Sequence, residues 1–118
     1  MKLLIVDDSG IIRKRIQRYL GEMGLEVVGL SANGKEALEV FRRTRPEVVT
    51  MDITMPVMDG ITCIQEMIRL NPEVRILVIS ALADKSTAIE AIKKGAKGYL
   101  CKPFTREELR EMMEALLE

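Results

Sequence analysis

Apolar residues along this chain alternate between short unbroken runs and stripes at helical spacing. Leu3-Leu4-Ile5-Val6 is the first run. With no polar position inside it, the segment reads as a strand covered on both faces. Ile12, Ile16, Tyr19, Leu20 and Met23 then recur at the spacing of one helix face, with Arg13, Lys14, Arg15 and Arg18 turned outward. Gly24 closes this helix, and residues 25–30 return to a strand. Asn33-Gly34 opens a second helix whose Ala37, Leu38 and Phe41 share one face, with Pro46 beyond its end. Residues 48–51 form a third strand.

A loop over residues 52–60 leads into a helix with Ile61, Ile64 and Ile68 inward, stopped by Asn71-Pro72. Ile76-Leu77-Val78-Ile79 is the clearest buried strand of the chain. A helix around Ala88, Ile89 and Ile92 ends at Gly95, and Gly98-Tyr99-Leu100 is a brief fifth strand. Gly60 and Gly95 read as turn and cap glycines. The last helix opens on Thr105-Arg106-Glu107-Glu108, a capping box, and turns Leu109, Met112, Met113, Leu116 and Leu117 inward. Five strands alternating with five helices predict an α/β fold with helices on both faces of a parallel sheet. Of the two common windings with right-handed crossovers, five strands favour the flavodoxin-like order 2-1-3-4-5, a (βα)5 three-layer sandwich. Residues 1–118 read as one domain.

Ligands of open α/β sheets bind outside the carboxyl ends of the strands. Those ends carry Asp7-Asp8 after the first strand, Asp52 after the third, Ser80 after the fourth and Lys102 after the fifth. Any one of them has an ordinary explanation, and Asp8 or Ser9 could simply cap the first helix. Together they crowd three carboxylates, a hydroxyl and an ammonium onto one rim. Crowded carboxylates raise a pKa or recruit a cation, and hard oxygen donors with room for water suit Mg²⁺. A cation, Lys102 and Ser80 around a free carboxylate are arranged to stabilise a phosphoryl group on it, which is aspartyl-phosphate chemistry.

Composition narrows the field. The 118 residues carry 18 Lys+Arg against 18 Asp+Glu and no histidine. Zero net charge argues against a nucleic-acid footprint. The missing histidine excludes imidazole acid/base chemistry, a Ser-His-Asp triad and His-ligated zinc. Cys63 and Cys101 stand far apart in no CxxC and read as two small buried hydrophobes in a reducing compartment. Most of the eight methionines, Met51, Met112 and Met113 among them, read as core gap-fillers. The apolar start is cut short by Asp7-Asp8, and no run approaches a membrane span, so a cytoplasmic protein is expected.

Val6-Asp7-Asp8-Ser9, Met51-Asp52-Ile53-Thr54-Met55-Pro56-Val57-Met58-Asp59-Gly60, Ile79-Ser80-Ala81 and Lys102-Pro103-Phe104, in that order, resemble the signatures of response-regulator receiver domains. The nearest likeness is to stand-alone chemotaxis-type regulators, through 51–56 and Gly95-Ala96-Lys97. The resemblance implies that Asp52 is the phosphoacceptor for a phosphohistidine on a histidine kinase or phosphotransfer protein. It implies Mg²⁺, or Mn²⁺ in its place, on Asp8 and Asp52, with Asp7 nearby and the Thr54 main-chain carbonyl completing the protein ligands. Lys102 would pair with phosphoryl oxygens, and Lys102-Pro103 would be cis. Ser80 and Tyr99 would form a switch pair, and Ala81 would leave room for the phosphoryl group. The fourth helix, fifth strand and fifth helix would then present a changed surface to a downstream effector, a motor switch or another target. A monomer without nucleic-acid or membrane contacts is implied.

Thr54 and Leu82 fall where receivers vary in phosphoryl lifetime, and Leu82 cannot orient a water, so slow autodephosphorylation is expected. Three other readings compete. A Mg²⁺-dependent haloacid-dehalogenase-type phosphatase would carry DxDx[TV] after its first strand, whereas here the candidate nucleophile follows the third and Thr54 replaces the second Asp. A flavodoxin-like electron carrier would need a hydroxyl-rich phosphate loop where Asp7-Asp8 stands. A receiver cut from a multidomain regulator, such as a transcriptional one, or a phosphorelay intermediate, would look the same. The end at Leu116-Leu117-Glu118 favours a stand-alone module.

Overall fold

The computed structural model describes residues 1–53, 58–81 and 85–118. Five strands and five helices alternate strictly. β1 (Lys2–Val6) is followed by α1 (Gly10–Gly21), β2 (Glu26–Ser31) by α2 (Gly34–Thr44), and β3 (Val48–Met51) by α3 (Gly60–Leu70). β4 (Arg75–Ser80) precedes α4 (Lys85–Lys93), and β5 (Gly98–Cys101) precedes α5 (Arg106–Leu117). All pairings are parallel, in the order β2-β1-β3-β4-β5 that the sequence predicts.

The helix starts are chemically marked. The Ser9, Asn33 and Asp59 side chains accept backbone N–H bonds from Ile12 (3.3 Å), Glu36 (2.9 Å) and Thr62 (2.9 Å). Thr105 and Glu108 form the expected reciprocal box at 2.9 and 3.0 Å. Ser9, not Asp8, takes the cap of α1, which leaves the Asp8 carboxylate for other work.

Strand alternation builds two cores, one on each face of the sheet. Leu4, Val6, Val49, Met51, Ile76 and Val78 point toward α2, α3 and α4, where Phe41, Ile64, Met67 and Ala91 meet them. Leu3, Ile5, Val48, Leu77, Ile79 and Leu100 point toward α1 and α5, against Ile16, Leu20, Leu109 and Met113. Each fully buried Leu or Ile side chain contributes about 1.5–3 kcal/mol of apolar transfer.

The helix expected around Ala88, Ile89 and Ile92 is present; Ile89 and Ile92 are 54% and 47% exposed, and it closes on the core through Ala91. α4 lies at the β5 end of the sheet against α3 and β5, so a narrow small-residue stripe suffices. Several expectations need correction. The buried stripe of α3 is Cys63, Ile64 and Met67, with Ile61 and Ile68 at its margin. Cys63 is buried but Cys101, the last residue of an edge strand, is exposed. Gly95 does take a left-handed φ of 117°. Gly60 serves close approach rather than a turn. A Cβ there would stand 2.3 Å from Ile53 Cα and 2.4 Å from the Asp52 carbonyl oxygen. Among the described residues, no helix is long and apolar enough to cross a membrane.

Candidate functional site

The central strands place the acidic residues by register. Val6 of β1 pairs with Met51 of β3, so Asp7 and Asp52 leave the sheet side by side. The chain winds from β1 outward in both directions, which makes this pair the switch point of the sheet, where α/β folds open a crevice. The Asp52 N–H donates to the Val6 carbonyl at 2.9 Å, and the Asp7 N–H to the Ser31 carbonyl at 3.0 Å. Alternation does the rest: Leu3 and Ile5, Val48, and Leu100 face α1 and α5, and the same parity carries Asp7, Asp52 and Lys102 to that side.

Ligand oxygens of Asp7, Asp8 and Asp52 lie within 4.8 Å of one another, with Asp8 exposed and the other two buried. The Lys102 ammonium sits 2.7 Å from Asp7 Oδ2 and 3.6 Å from Asp52 Oδ2. In the turn after β5 the Lys102 N–H donates to the Ser80 carbonyl at 2.8 Å, and the Lys102–Pro103 peptide is cis, as the resemblance implies. Asp7 Oδ1 accepts the Ser9 N–H at 2.9 Å. Asp7 and Asp52 thus share one ammonium, and with Asp8 beside them the pocket carries a surplus of negative charge.

The donor set fits a hard divalent cation. Octahedral Mg²⁺ holds oxygens at about 2.1 Å, so its ligand atoms stand about 3.0 Å apart when adjacent and about 4.2 Å when opposite. Three carboxylate oxygens gathered within 4.8 Å are near enough for one cation to draw on them together. The exposed Asp8 side keeps an edge open to water or to a phosphoryl oxygen, as Mg²⁺ sites require.

Residues 3–114 match the family described as the response regulator receiver domain. The chain belongs to this family. The chemotaxis protein CheY of Thermotoga maritima is 41% identical to this receiver over 112 residues, spanning 95% of this chain and 93% of that protein. The CheY of Bacillus subtilis is 40% identical over 116 residues, spanning 98% and 97%. Among solved structures, a chain of the CheX-CheY-BeF3-Mg²⁺ complex from Borrelia burgdorferi matches with a TM-score of 0.96 at 31% identity, covering 100% of this chain and 90% of that one. As a response-regulator receiver, the protein is a signalling phosphoacceptor.

The remaining sequence-predicted residues of the receiver divide by face. Ser80 is buried at the end of β4, on the parity of Ile76 and Val78, and pairs in register with Cys101. Tyr99 is half-buried against the same α3–α4 core and pairs with Val78. Ala81 follows Ser80 and is exposed. Thr54 and Leu82 lie outside the described residues.

Two contributors were missed from the sequence. Arg13, read as an outward position of α1, folds back so that its Nη1 donates to the Asp7 carbonyl at 2.6 Å. Helical spacing carries no signal of that return. Gly60 presses on the Asp52 backbone from the far end of the loop, where an Asp-Gly pair looked like an ordinary turn.

Cys63 is a buried bystander. Burial first, then the charges of Asp59 and Glu66, push its thiol up to about 12, and its Sγ lies 3.6 Å from the Gly34 carbonyl. On α3 the Arg69 guanidinium, hydrogen-bonded to Glu66 at 2.7 Å, holds that exposed carboxyl below its usual range.

Proposed function

We propose that this receiver takes a phosphoryl group onto Asp52 from the phosphohistidine of a partner histidine kinase or phosphotransfer protein. The observation that carries the reading is the meeting of three carboxylates within 4.8 Å with the Lys102 ammonium 3.6 Å from Asp52 Oδ2. An Asp52 carboxylate oxygen attacks phosphorus, the new O–P bond forms as the N–P bond breaks, and the imidazole leaves. Asp8 and Asp52, with Asp7 behind them, would hold Mg²⁺, and the Thr54 main-chain carbonyl, outside the described residues, would complete the protein ligands. The ion would supply positive charge to the phosphoryl oxygens. Mn²⁺, also a hard octahedral cation, substitutes for it. Lys102 supplies the second positive charge. Phosphoryl transfer asks mainly for positioning and charge, and both are supported by the rigid strand ends that carry these groups.

Ser80 and Tyr99 act as the switch. Their common parity toward the α4 side supports the pairing: the Ser80 hydroxyl turns to the new phosphoryl oxygens and Tyr99 swings into the space it leaves. Two conformations of the α4–β5–α5 surface thereby exchange population. The exposed Ile89 and Ile92 give that surface an apolar contact for a downstream effector. The similarity to chemotaxis proteins supports a motility output, such as a motor switch. Balanced charge, 18 against 18, supports partners other than nucleic acid, and a cytoplasmic monomer without membrane contacts belongs to the same reading. Autodephosphorylation is slow, because Leu82 offers an attacking water no hydrogen bond.

The test is transfer from a labelled, autophosphorylated histidine kinase. Label should move to the wild-type chain and not to Asp52→Asn. Equal transfer to both would reject the assignment.

A further inference from the structure

We propose that Arg13 is a positioning residue for the metal site, a clamp that fixes the Asp7–Asp8 peptide plane. The inference deepens the reading above and rests on it. Asp7 is engaged from several sides: its N–H donates to the Ser31 carbonyl at 3.0 Å, its Oδ1 accepts the Ser9 N–H at 2.9 Å, and its Oδ2, buried without a hydrogen bond, forms an ion pair with Lys102 at 2.7 Å. Its carbonyl is held by Arg13 Nη1 at 2.6 Å, a short charge-assisted bond. The guanidinium lies back along the first turn of α1, where a Cβ at Gly10 would be in ordinary contact with Nη2 at 3.5 Å. Arg13 is half-buried, as Arg15 is, whereas Lys14 and Arg18 on the same helix are exposed.

The carbonyl of Asp7 and the amide of Asp8 share one rigid plane. Holding that oxygen therefore fixes the Asp8 nitrogen and Cα, the base from which the Asp8 side chain departs. Asp8 is the exposed member of the acidic trio and the one whose carboxylate needs most guidance to meet the other two. Groups behind metal ligands act in this way, and their loss costs about 10–100-fold in metal affinity.

Two roles for Arg13 predict opposite signs. As a bare positive charge beside an acidic cluster it would oppose Mg²⁺, and its removal would tighten binding. As a clamp it supports Mg²⁺, and its removal weakens binding. Arg13→Met keeps the aliphatic stem and removes the charge. Arg13→Lys keeps the charge and loses the planar fork.

The experiment is calorimetric titration of the intact chain with Mg²⁺ at fixed ionic strength, with circular dichroism to verify folding. The clamp predicts affinity about 10-fold lower in Arg13→Met and a smaller loss in the same direction in Arg13→Lys. Wild-type or tighter binding in either folded variant overturns the proposal. Asp8→Asn serves as the control for the site itself. If wild type binds no Mg²⁺, or Asp8→Asn binds it as well as wild type does, the metal-site reading fails and the clamp falls with it. If Asp8→Asn weakens binding and the Arg13 variants do not, the clamp alone fails.

Discussion

Replacing Asp8 with Asn should stabilise the metal-free protein and destabilise it relative to wild type once Mg²⁺ is present. The ligand oxygens of Asp7, Asp8 and Asp52 lie within 4.8 Å of one another, with one ammonium nearby. At that distance each carboxylate pair repels by about 3.5 kcal/mol at an effective dielectric constant near 20. Asp8 is exposed, so water and salt reduce each of its two repulsions to about 0.5–1 kcal/mol. Asn is nearly isosteric and removes both, giving a net gain of about 1–2 kcal/mol in chelator-treated buffer. A ligand at one hundred times its dissociation constant adds about 2.7 kcal/mol to the state that binds it. Wild type collects that gain and the variant loses most of it, so the order of stabilities inverts. Urea denaturation followed by circular dichroism, with chelator and with saturating Mg²⁺, measures both halves. A variant that is less stable without metal, or that gains as much from Mg²⁺ as wild type, would refute the picture of a site assembled against its own repulsion.

Gly60→Ala should cost about 1–3 kcal/mol, because the new methyl meets main-chain atoms of Ile53 and Asp52 at 2.3 and 2.4 Å, and phosphoryl uptake should slow as Asp52 shifts; unchanged stability and uptake would sink it. In the native protein a thiol reagent should modify the exposed Cys101 promptly and Cys63 only on unfolding. Because the folded Cys63 thiol keeps its proton up to about 12 against an ordinary 9.0, unfolding releases a proton between those values. Its contribution is therefore complete below pH 9 and is lost as pH rises toward 12. Cys63→Ala should flatten that alkaline decline, and an identical slope would reject this cause. Leu82→Glu or Leu82→Asn should speed phosphoryl loss measured after donor removal, and an unchanged rate would count against the slow-hydrolysis reading.

Strand and helix identity, helix caps and the acidic rim were legible because each depends on local chemistry, while the strand order followed from the few windings open to five parallel strands. Continuous apolar runs announce two-sided strands, Thr105 and Glu108 announce a helix start, and charged residues ending such runs must emerge at one edge. What stayed hidden depends on distance through space. Arg13 occupies an outward helical position, and only the folded loop shows that its long side chain returns to the Asp7 carbonyl. The exposure of Ile89 and Ile92 follows from where α4 docks, and an apolar pair at helical spacing looks the same whether it is covered or left for a partner. Cys101 is exposed because β5 is the edge strand, a fact of sheet order rather than of its neighbours in sequence. Gly60 was recognised as glycine-requiring for the wrong reason: the backbone of Asp52 and Ile53 passes too close for a side chain.

The central claim is that Asp52 is a metal-assisted phosphoacceptor, and intact-mass measurement after incubation with acetyl phosphate tests it most directly. With Mg²⁺, wild type should gain the mass of one phosphoryl group, while chelator-treated protein and Asp52→Asn should gain none. No gain in wild type, or an equal gain in Asp52→Asn, would contradict it.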